Sequence, residues 1–213
     1  MPAKGDPGAY ICQRVQPGDI VIDVGANEGV YTKQYARAVG AAGTVYAIEP
    51  DARCHAALDA MHRPVIVAPF AAGDAYDRVV FHQSQQSQQS SVYGKAVTQP
   101  VGTQKVSMMP LDDVTMLPVA AVKIDVQGAE AAVLRGAKRL LQQCPLWVIE
   151  LWPWGLRQAG EKMEAVIEPF RWAGLVPRYM SDEDPIPTPA DLLEYCRKVE
   201  APHEHINVAW IKA

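Results

Sequence analysis

Four apolar runs in this chain end in a carboxylate: Ile20–Val24 carries Asp23, Thr44–Ile48 runs into Glu49, Ala121–Asp125 ends in Asp125, and Leu146–Leu151 carries Glu150. An ionised carboxylate offers two acceptor oxygens and a negative charge, so it can hold a diol, attract a cation or take a proton. Singly, an acid after an apolar run reads as a helix cap or a turn former. Four of them brought to one edge would instead read as a ligand site.

That edge exists only if strands and helices alternate. The first strand is Ile20–Val24. A helix from about Glu28 to Val39 places Tyr31, Tyr35 and Ala38 on one face, with Gly40 and Gly43 closing it, and the second strand is Thr44–Ile48. A short helix around Ala52–Met61 leads to a third run, Val65–Ala68. Val79–His82 and Lys105–Met109 then read as strands flanking the stretch His82–Ser91, which is too polar for core, so an inserted strand/loop segment is expected around residues 76–110. Alternation resumes with Ala121–Asp125 and a helix from about Ala129 to Gln143, where Val133, Leu134, Ala137, Leu140 and Leu141 recur at helical spacing. Leu146–Leu151, a helix over Met163–Ala173 and a last strand, Ile206–Ile211, complete the pattern. Ser181–Pro189, with three prolines and three acids, reads as an irregular surface loop. The expectation is one α/β domain over residues 1–213 with a doubly wound, mainly parallel seven-stranded sheet. Ligands of such sheets bind beyond the carboxyl ends of the strands, where strand order reverses, and all four acids fall there.

The loop Asp23-Val24-Gly25-Ala26-Asn27-Glu28-Gly29-Val30-Tyr31, with Glu49-Pro50 about twenty residues on, is a β-α-β unit with an acidic tip. A dinucleotide fingerprint aligned on Gly25 would need glycines where Asn27 and Val30 stand, and Glu28 at the helix start opposes a pyrophosphate. S-adenosylmethionine has no phosphate and carries a sulfonium cation, which nearby carboxylates favour. Glu49 is placed to accept hydrogen bonds from both ribose hydroxyls. Asp23 is expected to fix the loop by accepting backbone N–H bonds and to set a negative field near the sulfonium.

The 213 residues, nearly half of them hydrophobic, carry a formal charge of −4, which favours neither disorder nor a polyanion-binding surface. A general nucleic-acid binder is thereby disfavoured. No apolar run approaches the roughly 20 residues of a membrane helix, and no apolar core follows a basic N-terminal start, so a soluble, cytoplasmic protein is expected. Cys12, Cys54, Cys144 and Cys196 lack paired spacing and read as reduced structural thiols.

Several separated blocks resemble the FkbM-type S-adenosylmethionine-dependent methyltransferases: Gly18–Thr32 for the cofactor loop, Ala47-Ile-Glu-Pro50 for the ribose acid, Ala71-Ala-Gly-Asp74, Leu111-Asp112-Asp113 and, most specifically, Val122-Lys-Ile-Asp-Val-Gln-Gly-Ala-Glu-Ala-Ala-Val-Leu-Arg-Gly-Ala137. The resemblance covers approximately residues 18–151. It implies a Rossmann-like class I methyltransferase fold and a donor site formed by Asp23, Gly25, Ala26, Asn27, Tyr31, Glu49, Pro50, Ala71 and Asp125. Two departures stand out. The family usually has Glu where this chain has Gln127, which can hydrogen-bond but cannot be a base. The segment before Gly18 is short for the family, which shifts acceptor binding onto the internal loop or onto another subunit of a homo-oligomer.

The implied reaction is in-line methyl transfer, in which positioning and exclusion of water carry much of the rate. The leading expectation is an O-methyltransferase acting on a hydroxyl of a sugar or of a glycosylated or polyketide-like small molecule. Asp125 is the first catalytic candidate, orienting the acceptor hydroxyl as its base or holding the cofactor amine, and Glu130 is the second; both also suit helix-capping positions. His82, His203 and His205 are weaker base candidates. Trp152 is a candidate sugar-stacking face, and Ser90 and Ser91, where the family tends to have serines, are candidate substrate ligands. No ligand spacing compels a metal. Two alternatives stay open: a nitrogen or macromolecular acceptor on the same fold, and a cofactor-binding scaffold that has lost catalysis.

Overall fold

The computed structural model describes residues 5–180, 187–201 and 203–212. Its strands, in chain order, are β1 (Ile20–Val24), β2 (Thr44–Ile48), β3 (Val65–Ala68), β4 (Ala71–Gly73), β5 (Asp77–Ser84), β6 (Pro100–Pro110), β7 (Ala121–Ile124), β8 (Leu146–Leu151), β9 (Leu175–Arg178) and β10 (Ile206–Lys212). The helices are α1 (Pro7–Cys12), α2 (Val30–Val39), α3 (Ala52–Asp59), α4 (Glu130–Arg135), α5 (Lys138–Gln143), α6 (Pro153–Gln158), α7 (Glu164–Trp172) and α8 (Pro189–Lys198). Seven strands form one sheet in the order β3-β2-β1-β7-β8-β10-β9. Pairing is parallel from β3 through β8, and β10 runs antiparallel to both β8 and β9. This is the doubly wound, mainly parallel sheet anticipated from the alternation, and its order reverses between β1 and β7.

The central strands read as nearly unbroken apolar runs because helices cover both of their faces. On one face Ile22, Val24, Val122, Ile124, Trp147, Phe170 and Trp210 pack together; on the other, Val21, Val45 and Val39 surround Tyr35. Phe170 stacks on Trp210 at 4.7 Å and meets Trp147 edge-on at 5.7 Å. Each of these fully buried rings contributes on the order of 2–3 kcal/mol of hydrophobic stabilisation.

Four readings need correction. The inserted segment is a second sheet, β4-β6-β5, built on a long antiparallel hairpin, not two short strands. Within its polar stretch Ser84, Ser90 and Ser91 are buried, because each hydroxyl finds a hydrogen-bond partner. Helix α1, helix α6 and β9 were not anticipated, and most of Ser181–Pro189 lies outside the described residues, with Pro189 opening α8. Finally, the single helix expected over Ala129–Gln143 is two, broken at Gly136 and Ala137. A Cβ at Gly136 would stand 1.9 Å from the carbonyl oxygen of Gly73, so β4 occupies the space a continuous helix would claim. The break also turns the first amides of α5 toward Asp112, which accepts from Arg139 N–H at 2.8 Å and from Leu140 N–H at 2.9 Å.

Alanine at an ordinary helical glycine stabilises by about 1 kcal/mol. At Gly136 the sign should reverse: Gly136→Ala is expected to destabilise by about 1–3 kcal/mol through overpacking against β4, read as a lower urea midpoint.

Candidate active site

The loops that leave β1 and β7 meet at the sheet's reversal point, and glycine permits the meeting. Gly25 has φ +79°, and a Cβ there would lie 1.9 Å from the Asp125 carbonyl oxygen. Gly25 and Ala26 donate their N–H groups to the Ile48 carbonyl at 2.9 and 3.1 Å, which ties the loop to the end of β2. Asn27, at φ 49°, then aims its N–H at Glu49 Oε2 (2.7 Å), while Asp51 N–H donates to Oε1 (2.7 Å). Glu49 is nearly fully buried, and burial pushes its carboxyl up to about 7 despite those two amides.

A first cavity opens over these residues. Glu49, Pro50, Asn27 and Gly25 line one part, Ala71, Phe81 and Val92 give an apolar wall, and Asp125 and Gln127 stand at the end near β7. The lining fits S-adenosylmethionine: a carboxylate for a diol, an apolar wall for a base, and a second carboxylate for a cationic end. Among the described residues no lysine or arginine lines it to meet a phosphate. The insert closes the cavity from above, with the Asn27 side-chain amide donating to Ser87 Oγ at 2.9 Å. Arg53 reinforces that cover by donating to the Ser84 carbonyl (2.9 Å) and to Ser90 Oγ (3.2 Å) while paired with Asp51 (2.6 Å).

A second cavity lies alongside and shares Gln88, Asp125 and Gln127 with the first. Glu150, Trp152, His203, His205, Gln89 and Thr98 complete its wall. Gln127, held at φ 51° and followed by Gly128 at φ +97°, spans the junction: its amide donates to Asp125 Oδ1 at 2.8 Å and to Glu150 Oε2 at 2.9 Å.

Beneath the junction sits a buried cation. Lys123 Nζ lies 3.2 Å from Asp125 Oδ2, 3.9 Å from Asp23 Oδ1 and 4.8 Å above the Tyr31 ring centroid. Burial works against its charge, yet Asp125, Asp23 and Glu150 outweigh that and raise its pKa above the ordinary lysine value. Burial would raise Asp125, but Lys123 and the Gln127 amide dominate and hold it below the usual carboxylate range. Glu150 goes the other way, pushed well up by burial and by Asp125.

The structure brings Gly25, Asn27, Glu49, Pro50, Ala71, Asp125 and Ser90 to the first cavity, and Asp125 and Trp152 to the second. The other candidate residues stand elsewhere. Asp23 accepts from the Thr32 hydroxyl at 2.6 Å and from the Thr32 backbone N–H, so it joins β1 to the first turn of α2, the amide it receives being the helix's and not the loop's. Ala26 and Tyr31 support the loop from behind, Tyr31 stacking on Tyr35 and lying under Lys123. Glu130 is fully buried at the start of α4, outside both cavities, and accepts from Gly128 N–H at 3.0 Å. Ser90 lines the first cavity and not the second, and Ser91 lies outside both, donating to the Gln127 carbonyl at 2.8 Å. Sequence reading passed over Lys123, although a lysine inside a strand buried on both faces must be paired. It also had no means of placing Ser87, Gln88 and Phe81 over the cavity. Among the described residues no group of three or more His, Cys, Asp or Glu side chains is arranged to hold a metal ion.

Two outcomes follow. Lys123→Met leaves buried carboxylates uncompensated and should destabilise by about 3–5 kcal/mol at neutral pH, with part of the loss recovered in acid. Burial raises Glu130 from 4.5 to about 7, so its contribution to stability is present below pH 4.5 and is lost as pH rises toward 7. Glu130→Gln should therefore match the native protein's melting temperature near pH 4.5 and exceed it at pH 8, by up to about 3 kcal/mol in stability.

Comparison with known proteins agrees with this geometry. The profile of the Methyltransferase FkbM domain matches residues 23–168. No curated protein sequence matches the chain. A Clostridium thermocellum protein assigned as an rRNA methylase superposes with a TM-score of 0.56 at 14% identity, over 96% of this chain and 92% of that one. A Streptococcus mutans protein assigned as a methyltransferase and solved with SAH superposes at 0.53 with 11% identity, over 97% and 95%. A SAM-dependent O-methyltransferase from Thermotoga maritima gives 0.50 at 12% identity, over 97% of this chain and 64% of that one. At such identities these neighbours speak to the fold, which is that of class I methyltransferases, and the profile speaks to the family. The chain belongs to the FkbM methyltransferase family, whose methyl donor is S-adenosylmethionine.

Proposed function

We propose that the chain is an O-methyltransferase for a small, hydroxyl-rich acceptor, a sugar or a glycosylated or polyketide-like molecule, bound in the second cavity. The observation that carries this reading is the shared wall: the two cavities meet at Asp125 and Gln127, so an acceptor oxygen in one can face a donor group held in the other. The donor supplies a methyl group on a sulfonium. The protein's part is to hold, align and exclude water. Glu49 holds the ribose hydroxyls, Phe81 and Val92 flank the base, and the insert keeps water out. Asp125, ionised beside Lys123, orients the donor's ammonium end.

The second cavity argues for a neutral polyol. Gln88, Gln89, Gln127 and Thr98 offer uncharged donors and acceptors, and the Trp152 indole borders them. Among the described residues no lysine or arginine lines it, and the whole chain carries −4. A nucleic-acid acceptor would need cations for its phosphates. A cytoplasmic setting, where the methyl donor is made, suits the reading, with the chain acting as one catalytic domain.

Methyl-labelled S-adenosylmethionine offered with mono- and oligosaccharides, glycosides, hydroxylated polyketides and rRNA fragments should label a polyol and leave RNA unlabelled. Label on RNA would overturn the acceptor class, and calorimetric donor binding without label on any acceptor would favour a scaffold. Asp125→Asn should weaken donor binding about tenfold, the equivalent of about 1.4 kcal/mol.

A further inference from the structure

An acceptor hydroxyl attacks well only once its proton has somewhere to go. Asp125 is poorly placed to take it. Its two oxygens are occupied by Lys123 (3.2 Å) and by the Gln127 amide (2.8 Å), and an ion-paired carboxylate has reduced proton affinity.

On the other side of Gln127 the arrangement differs. The same amide that donates to Asp125 also donates to Glu150 Oε2, at 2.9 Å, which leaves Glu150 Oε1 facing His205 Nε2 at 3.4 Å. The pair stands on adjacent strands: Glu150 of β8 is in register with Asn207 of β10, and His205 is the residue that leads into β10. Both groups line the second cavity, His205 about one-third exposed and Glu150 about one-tenth. A carboxylate fixed at one oxygen by an amide, with its other oxygen toward an imidazole, orients the ring and stabilises its protonated form.

We propose that His205 is the catalytic proton acceptor for methyl transfer and that Glu150, fixed by Gln127, is its positioning residue; this rests on the hydroxyl-acceptor reading above. The O–H bond of the acceptor breaks and its proton passes to the neutral imidazole. The O–CH3 bond forms as the S–CH3 bond breaks, and that electron pair remains on sulfur, converting the sulfonium to a thioether. The positive charge that leaves sulfur reappears on the imidazolium, beside Glu150. Among the described residues the other charged or titratable groups around the pair include Asp125 and Lys123 at the end of β7, Tyr31 on α2, Glu130 on α4 and His203 in the loop before β10. Burial and Asp125 raise the proton affinity of Glu150, so the pair can hold the transferred proton between them.

The pairing is tested without turnover by NMR titration of the His205 ring in native protein and in Glu150→Gln. Loss of the carboxylate should lower the proton affinity of the imidazole at least about tenfold; an unchanged titration overturns the pairing. Turnover tests the proton transfer, using whichever panel acceptor takes label. His205→Gln should reduce kcat by about 100-fold or more with the calorimetric affinity for S-adenosylmethionine held within about twofold, and Glu150→Gln should move the acidic limb of the pH profile with the NMR value. Label transferred by His205→Gln at the native rate overturns the proton transfer alone. Absence of label from every acceptor overturns the acceptor reading and the proton transfer with it.

Discussion

A lysine ammonium buried at the sheet's reversal point is the constraint on which the site depends. Lys123 stands in a strand covered on both faces, so its charge is tolerable only beside carboxylates, and Asp23 and Asp125 supply them from the same edge. One cation among three acids would leave a surplus of negative charge. The structure eases it with the neutral Gln127 amide, which lies between Asp125 and Glu150 and donates to both, where a further acid would repel both.

Several local features serve that junction. The left-handed Asn27 and Gln127, one in each switch-point loop, turn their polar groups toward Glu49 and toward the acid pair. The missing side chain of Gly25 lets the β1 loop touch the Asp125 carbonyl, which holds the loop that meets Glu49 against the loop that leaves β7. The second sheet then roofs the first cavity through a clamp of polar contacts: Arg53 to Asp51, Ser84 and Ser90, Gln83 to Asp51, and Gln104 to the Pro50 carbonyl. The buried serines of the insert make sense as parts of this clamp. Their hydroxyls hold the cover in place, and the glutamines beside them, Gln88 and Gln89, reach the second cavity.

The frame was legible where side-chain type and period coincide. Buried parallel strands write themselves as apolar runs, and the acids at their ends, Glu49 and Asp125 among them, marked the edge where the two cavities open. Long-range geometry was not written there. The break at Gly136 depends on the Gly73 carbonyl sixty-three residues away, and the insert's hairpin depends on cross-strand register that its Gln/Ser composition does not display. Glu130 and Ser91 were of the right chemical type but lie outside both cavities: one accepts from the Gly128 amide in the loop before α4, the other bonds the Gln127 carbonyl of the same loop. Trp152 reaches the second cavity but packs against Trp154, its ring centroid 5.2 Å away, and is largely buried. Lys123 could have been inferred from burial alone, and His205 needed the β8–β10 pairing to meet its carboxylate.

Where the donor lies decides the roles of the two cavities. A crystal structure with SAH bound tests it most directly: the ribose hydroxyls should lie within hydrogen-bond distance of Glu49, the base against Phe81 and Val92, and the amino-acid end toward Asp125. SAH seated in the second cavity, or with its amino-acid end at Glu49, would contradict the assignment of the two cavities.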